Sequence, residues 1–454
     1  MKTISKSDPM NILVIGNGFD LAHNLPTRYA DFLYFCQEIH DAYIKYGLPD
    51  KNNQFQGKWQ SFWYNFLLLV YKHCGEEVVE KLTDCLKTKN PVNLNDNLIV
   101  SPDETLELCA LINNNVWIDY FKKLHKDNKL GENWIDFEKE ISNVIMALSE
   151  VKMSYIHEST VLDDKNKQIY TRINRRIKKF YPEVSSKDKS NMSTVDSLDS
   201  LSKKVSILKN DLDRLIRALE IYLAVIVERI EITQKIPEIE NLEVDYLISF
   251  NYTTTYEKIY GNVPNVNYIH GKADKNKNIK TSNLVLGMDD KVQLNGENLS
   301  LEFFPFMKFF QKIYKETDSM YLDWIDDIKN EYNQYLIDQE TALSSFKELL
   351  QVNNAPVEEY FEMIDLKEKY NEEPMTYNLY IFGHSLDETD KEVLKKLICN
   401  NNVKSTIYYY REDAEDKKGF GSQITNLVKV IGYEELMRRV GGRSKTIKFV
   451  GQQV

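Results

Sequence analysis

The sequence predicts an α/β protein in which a mostly parallel sheet carries helices on both faces and is interrupted by a large α-helical insertion. Three observations predict it. Short apolar runs recur at widely separated places, each ending in a polar or glycine-containing loop that leads toward a helical pattern, the rhythm of parallel, Rossmann-like folds. Between about residues 46 and 239 that rhythm stops, and apolar residues recur at helical spacing without a strand run. The 454 residues are 42% hydrophobic and 12% aromatic, enough to bury a large core in one domain with insertions or in two to three domains.

Taken in order, Ile12-Leu13-Val14-Ile15 reads as the first strand. It ends in Gly16-Asn17-Gly18, and Asp20 follows where folding alone asks for no carboxylate. Leu25-Pro26-Thr27 reads as a stop with Thr27 as N-cap of a helix whose buried face is Tyr29, Phe32, Leu33, Cys36, Ile39 and Tyr43. Further on, Trp134, Phe137 and Ile141 mark a helix face, with Asp136 and Glu138 pointing elsewhere. Residues 187–200 read as polar loop. Leu198, Leu201, Val205, Leu208, Leu212, Leu215, Leu219, Tyr222 and Ile226 then alternate spacings of three and four, a heptad seam that serves equally for packing inside one domain or for pairing helix 198–226 between two subunits.

Strands return at Val244 to Phe250, with a turn at Asn251. "NVNYIHGKA" reads as a strand ending at His270-Gly271, and "NLVLGMDD" as one ending at Gly287. A helical stretch from about 303 to 370 intervenes before the strand Tyr377 to Phe382 and its loop Gly383-His384-Ser385. A helix near 388–398, a strand Thr406 to Tyr410, helices near 421–440 and a strand Thr446 to Val450 close the pattern; the tail "RRVGGRSKTIKFV" reads as a strand pair or turn without evident chemistry. The expected division is a nucleotide-binding core made of 11–45, 240–300 and 375–454, a first helical insertion 46–239 and a second 301–374.

Bulk properties exclude several classes. Lys and Arg total 58 against 69 Asp and Glu, a net charge of -11, which gives no electrostatic footprint for broad nucleic-acid or membrane-surface binding. Five cysteines without a C-x-x-C pair point away from a disulfide framework or structural zinc and toward a reducing compartment. No apolar run approaches the ~20 residues of a membrane span, and no leader precedes Asn11. Cytoplasmic residence is expected.

Ligands on parallel sheets bind outside the carboxyl ends of the strands, so loops 16–20, 251–256, 270–274 and 383–390 are expected to converge there. Gly16 and Gly18 suit a close approach to phosphate, but Leu21 stands where a dinucleotide fingerprint has its third glycine and no acid ends a second strand, which disfavours a hydride-transfer dehydrogenase. His270, at a strand end, suits proton abstraction near neutral pH or a structural bond to a carbonyl. Asn251 has the alternative of a local turn, and Ser385 and Asp387 that of helix caps.

The motifs "NILVIGNGFDLAHNLPTRYADFL", "NWIDFEKEI", "SFNYT", "YIHG", "PFMKFFQKIYKET" and "IFGHSLDETD", in this order, resemble the bacteriophage abortive infection AbiH family from about residue 11 to past residue 410. More distantly, "GNGFD", "FNYT", "IHG" and "GHSL" resemble the phosphate loop, ribose asparagine, catalytic histidine and adenosine-ribose loop of the sirtuin-like NAD-binding core. The resemblance implies that Gly16 and Gly18 approach the pyrophosphate, that Asn251 binds ribose or orients water, that His270 is the general base and that Ser385 binds the adenosine side. Asn17, Asp20, Gly271, Gly383 and Asp390 complete the expected nucleotide-binding set, with Asp20 and Asp390 also available to stabilise a ribosyl cation or to cap helices. Zinc-binding cysteine pairs are missing, which speaks against protein deacylation, and Thr253 stands where many sirtuins have an aspartate that helps bind nicotinamide; because phage-defence relatives of the sirtuin core often consume NAD, the double resemblance implies NAD hydrolysis.

The implied function is an anti-phage effector that binds NAD or a related nucleotide and hydrolyses it, without a metal and in response to a phage-derived trigger. Two alternatives stand beside it. One is a non-catalytic sensor of a nucleotide or ADP-ribose that signals to a partner. The other is a metal-dependent nuclease using acids among Asp20, Asp136, Glu138, Asp289, Asp290, Asp387 and Asp390, disfavoured by their lack of compact spacing and by the net acidity.

Overall fold

The computed structural model describes residues 9–49, 58–71, 100–127, 136–157, 163–185, 193–232, 234–288, 293–294, 297–298, 300–349, 374–411, 418–443 and 445–452. Among them, six strands form one sheet: β1 (Met10–Ile15), β2 (Tyr246–Ser249), β3 (Asn265–Tyr268), β4 (Tyr377–Phe382), β5 (Val403–Tyr409) and β6 (Ile447–Gly451). Their spatial order is β3-β2-β1-β4-β5-β6, and every neighbouring pair is parallel. This is the Rossmann-like order, in which the winding reverses between β1 and β4. A two-stranded hairpin, Gln293–Leu294 with Glu297–Asn298, stands apart.

Strand β1 is apolar from Ile12 to Ile15 instead of alternating. Successive residues point to opposite faces, and both faces are covered. Ile12 and Val14 pack with Ile325 and Ile328 of α12 (Tyr321–Leu349), Leu394 and Leu397 of α13 (Lys391–Ile398) and Leu427 of α14 (Lys418–Ile431). Leu13 and Ile15 face the other way, toward Phe19 of α1 (Asn17–Ala22), Ile239 of α9 (Pro237–Glu240) and Tyr256 of α10 (Thr255–Tyr260).

The described residues between β1 and β2 are mostly helical and include α2 (Tyr29–Tyr46), α3 (Gln60–Tyr71), α4 (Pro102–Ile112), α5 (Val116–Asp127), α6 (Phe137–Ile156), α7 (Asp164–Phe180) and α8 (Thr194–Ile221). Between β3 and β4 come α11 (Lys308–Tyr314) and α12, and α15 (Tyr433–Gly441) precedes β6. The first helical group shares a core with Leu284, Leu286, Met288 and Phe306 from the segment after β3. None of the described helices is long and apolar enough to cross a membrane.

Several local expectations are corrected. Thr27 does not cap α2: Arg28 is the N-cap, bracketed by Asp31, and the Thr27 hydroxyl donates instead to Asn17 at 2.6 Å. The polar run around 193–200 is helix, because Ser193 caps α8 and forms a reciprocal capping box with Asp196; residues 187–192 lie outside the described set. The heptad seam from Leu201 to Ile226 is buried in this chain's own core, and past Ile221 the helix widens into a π-turn at Tyr222–Ile226. The run Asn283 to Gly287 is not a strand. Side chains bond its backbone instead: Gln311 takes both the N–H and the carbonyl of Leu286, Lys315 donates to Leu284 O, Tyr252 to Val285 O and Thr317 to Asn283 O. The tail adds one parallel strand to the sheet edge, beside β5, instead of a strand pair.

Candidate active site

The four loops meet at the carboxyl edge of β3, β2, β1 and β4. Phe250 N–H continues the ladder to Ile15 O, Ile269 N–H to Ser249 O and Gly16 N–H to Phe382 O, so each chain leaves its strand at the same level. Gly271 turns back with φ +82°, and a Cβ there would lie 2.2 Å from Asn283 O. Gly383 does the same with φ +67° and would place a Cβ 2.1 Å from Phe19 N. Both positions are closed to any other residue without backbone movement.

At the centre lies the carboxylate of Asp390, which two histidines share. His270 Nε2 is 3.6 Å from Oδ1 and His384 Nε2 is 3.4 Å from Oδ2, while the Phe250 ring meets both imidazoles edge-on. Leu386 N–H donates to His384 Nδ1 at 2.9 Å, so the neutral ring carries its proton on Nε2, facing Asp390. His270 is 6% exposed and its Nδ1 is buried without a hydrogen-bond partner. Behind Asp390 stands Lys308 at the start of α11, 3.9 Å from Oδ1 and 2.7 Å from Glu138 Oε2.

The electrostatics follow from burial and these contacts. Burial, assisted by the nearby Lys308 charge, pushes the His270 imidazole down to about 4 against the pull of Asp390. Burial alone would raise the Asp390 carboxyl, but Lys308 and the two imidazoles outweigh it and hold it well below the carboxylate range. Glu138 is pushed up by burial to about 7 even against Lys308. Burial disfavours the Lys308 charge, yet Glu138 and Asp390 hold it above the ordinary lysine range.

A second buried group adjoins the first through the chain at 251–253. Asp20 Oδ2 accepts the Thr253 hydroxyl at 2.6 Å, and Thr255 donates to Thr253. Burial raises Asp20 to about 6, opposed by these hydroxyls and by the neighbouring Asn251 amide. The Asn251 amide lies beside Asp20 without a hydrogen bond of ordinary geometry: Asn251 Nδ2 and Asp20 Oδ1 are both buried and without a partner. An amide donor and a carboxylate acceptor side by side suit the hydroxyls of a sugar.

The structure thus brings His270 to Asp390 and Asn251 to Asp20, in loops along the same sheet edge, and separates others. Gly16 and Gly18 do approach a backbone closely, but it is that of residues 383 and 384, within 3 Å of where a Cβ would stand. Their N–H groups donate to Phe382 O and Gly383 O, and that of Phe19 to Gly16 O, so these donors are already taken by the protein's own backbone. Asn17 is tied to Thr27. Ser385 is exposed, with its carbonyl bonded by Asn426. Asp136 caps α6 and Asp387 caps the turn 388–390, while Asp289 and Asp290 lie outside the described residues. No group of three or more His, Cys, Asp or Glu among the described residues could hold a metal.

Sequence reasoning missed Lys308, His384 and the inward turn of Glu138. Glu138 was expected to face away, yet Phe137 is sandwiched between Tyr29 at 4.2 Å and Phe121 at 4.1 Å, and this anchor swings the next residue onto Lys308. The available signals were a lysine within the aromatic run "PFMKFF" and a second histidine in "GHSL".

Compared with known proteins, no curated protein and no solved structure matches the chain. The family described as bacteriophage abortive infection AbiH matches residues 12–410, a span that includes every residue of both buried groups. With nearly its whole length covered, the chain belongs to the bacteriophage abortive infection AbiH family.

Proposed function

We propose that this phage-defence protein is an effector that hydrolyses NAD, or a closely related nucleotide, at the nicotinamide–ribose bond. The observation that carries the reading is His270: its Nε2 faces Asp390 while its buried Nδ1 has no partner, the arrangement of a proton acceptor held in one tautomer. The position adds support, because its partner Asp390 follows β4, beside which the winding of the sheet reverses, and nucleotides bind at such crevices. In the reaction, a water oxygen bonds to ribose C1′ as the C1′–nitrogen bond breaks. The bonding pair returns to the pyridinium ring, which leaves as neutral nicotinamide, and the water proton passes to His270 Nδ1. Asn251 orients the water or a ribose hydroxyl, and the carboxylates of Asp20 and Asp390 oppose the positive charge developing on ribose and imidazole.

The test is release of nicotinamide and ADP-ribose from NAD, quantified by mass spectrometry. Loss of the base in His270→Ala should lower the rate by about 10²–10⁴-fold, with Asn251→Ala also impaired. Release that is unchanged in His270→Ala would sink the assignment. A second reading, a sensor that binds the nucleotide without turnover, is favoured by one observation: Arg217 and Glu220 of α8 grip the loop after His270, through Asp274 O, Lys275 O and Asp274 N–H, and so join the helical insertion to the site. Binding of NAD or ADP-ribose without cleavage, seen as a raised melting temperature, selects that reading.

A further inference from the structure

Two charged side chains of the site come from outside the sheet and its loops. Glu138 is carried by α6, between β1 and β2, and Lys308 by α11, between β3 and β4. We propose that Lys308 is a positioning residue of this site: its ammonium, shared between Glu138 and Asp390, fixes the Asp390 carboxylate opposite the two imidazoles and leaves His270 Nδ1 open as the proton acceptor. The proposal deepens the reading of His270 as a base and rests on it.

The geometry supports it at each link. Lys308 is 5% exposed, so it serves no solvent contact, and its nearest anion is Glu138 at 2.7 Å, with Asp390 at 3.9 Å. Glu138 is drawn there by the aromatic sandwich around Phe137. Asp390 then has His270 on one oxygen and His384 on the other. A lone carboxylate between two imidazoles would favour a proton on one of them. Lys308 satisfies that carboxylate with a permanent charge and repels a second one on His270. The other groups that face His270 are Lys312 on α11, which acts in the same sense, and Tyr252 and Phe250 from the loop after β2.

The test reads the protonation of His270 itself. The chain has seven histidines, few enough to assign side-chain ¹⁵N resonances from single His→Gln variants. In the wild type, the His270 signal should keep the neutral pattern from about pH 8 down to about pH 5. In Lys308→Met its protonation should move to higher pH and enter that range, because the Lys308 repulsion is lost while burial, the larger cause, remains, and Lys308→Arg should restore the neutral pattern. Because Lys308→Met leaves the half-buried Glu138 without its cation, the double variant Lys308→Met with Glu138→Gln is measured beside it; removing the pair as a unit is the gentler change for folding, and it should show the same shift. A His270 signal that stays neutral in both would overturn the proposal, as would equal titration in Lys308→Arg and Lys308→Met.

NAD turnover by the same samples separates the two readings. Failure of the wild type to cleave NAD, with the His270 shift present, removes the NAD assignment and leaves Lys308 in its role. A wild type that cleaves NAD, with no shift on loss of Lys308, does the reverse.

Discussion

Replacing His270 by glutamine should make the protein relatively more stable in mild acid. Burial and Lys308 lower its folded-state value from 6.5 to about 4. The unfolded chain therefore binds a proton below about pH 6.5 that the folded chain refuses until about pH 4, and stability falls with pH across that window. The penalty is negligible at pH 7.5, grows below the unfolded value and is constant below the folded one. At pH 5 the unfolded histidine is almost fully protonated and the folded one almost fully neutral, which amounts to about 1.5 units at 1.36 kcal/mol each, or about 2 kcal/mol. The glutamine variant lacks this term. Asp20 and Glu138, whose folded values are raised, act in the opposite sense, favouring the folded state as pH falls, but they are present in both proteins and cancel in the difference. Urea unfolding at pH 7.5 and pH 5, taken as variant minus wild type, should shift by about 2 kcal/mol in favour of the variant, roughly thirty-fold in the folding equilibrium. Parallel pH dependence in the two proteins would refute the claim that burial holds His270 neutral.

Two further outcomes test the packing. Gly383→Ala combines φ +67° with a Cβ 2.1 Å from Phe19 N, and should cost about 3 kcal/mol or more, whereas Gly421→Ala, with nothing within 4 Å of its added carbon in α14, should gain about 0.5–1 kcal/mol; thermal melts of the two variants should move in opposite directions. Leu208→Ala, at a seam position that is 0% exposed, should lose about 2–5 kcal/mol with no change of mass by light scattering; a change of subunit number would return the seam to an intersubunit role.

The sheet was legible because its signal is local. Most strands hold a short apolar run that ends at a glycine or polar turn, and Ile12 to Ile15 announces burial on both faces by containing no polar residue. The extended run Asn283 to Gly287 carries the same local signal, but its backbone is bonded by Gln311, Lys315, Tyr252 and Thr317, and no property of those five residues reveals this. The site divides in the same way. His270, Asn251, Asp20 and Asp390 sit in loops whose convergence follows from strand order, so position pointed to them. Lys308 and Glu138 reach the site from helices whose docking depends on contacts such as Tyr29–Phe137–Phe121, spread across more than a hundred residues of sequence. The glycines show a third case: "GNG" signals close approach, and the approaching group is the protein's own backbone at Gly383.

The strand order also sets a schedule for synthesis. Asn11 in the central strand meets Asp245 across 234 residues on one side and Asn378 across 367 on the other. At about 5–20 residues per second, a ribosome exposes β1 for tens of seconds before either neighbour exists, and the strand must wait for both. The helices from α2 to α8 can collapse on one another meanwhile, since their contacts are nearer in sequence. The carboxylate that joins the two histidines is residue 390, so no nascent or truncated chain that stops short of it contains the site. The last quarter of the sequence thereby completes both the sheet and the candidate site.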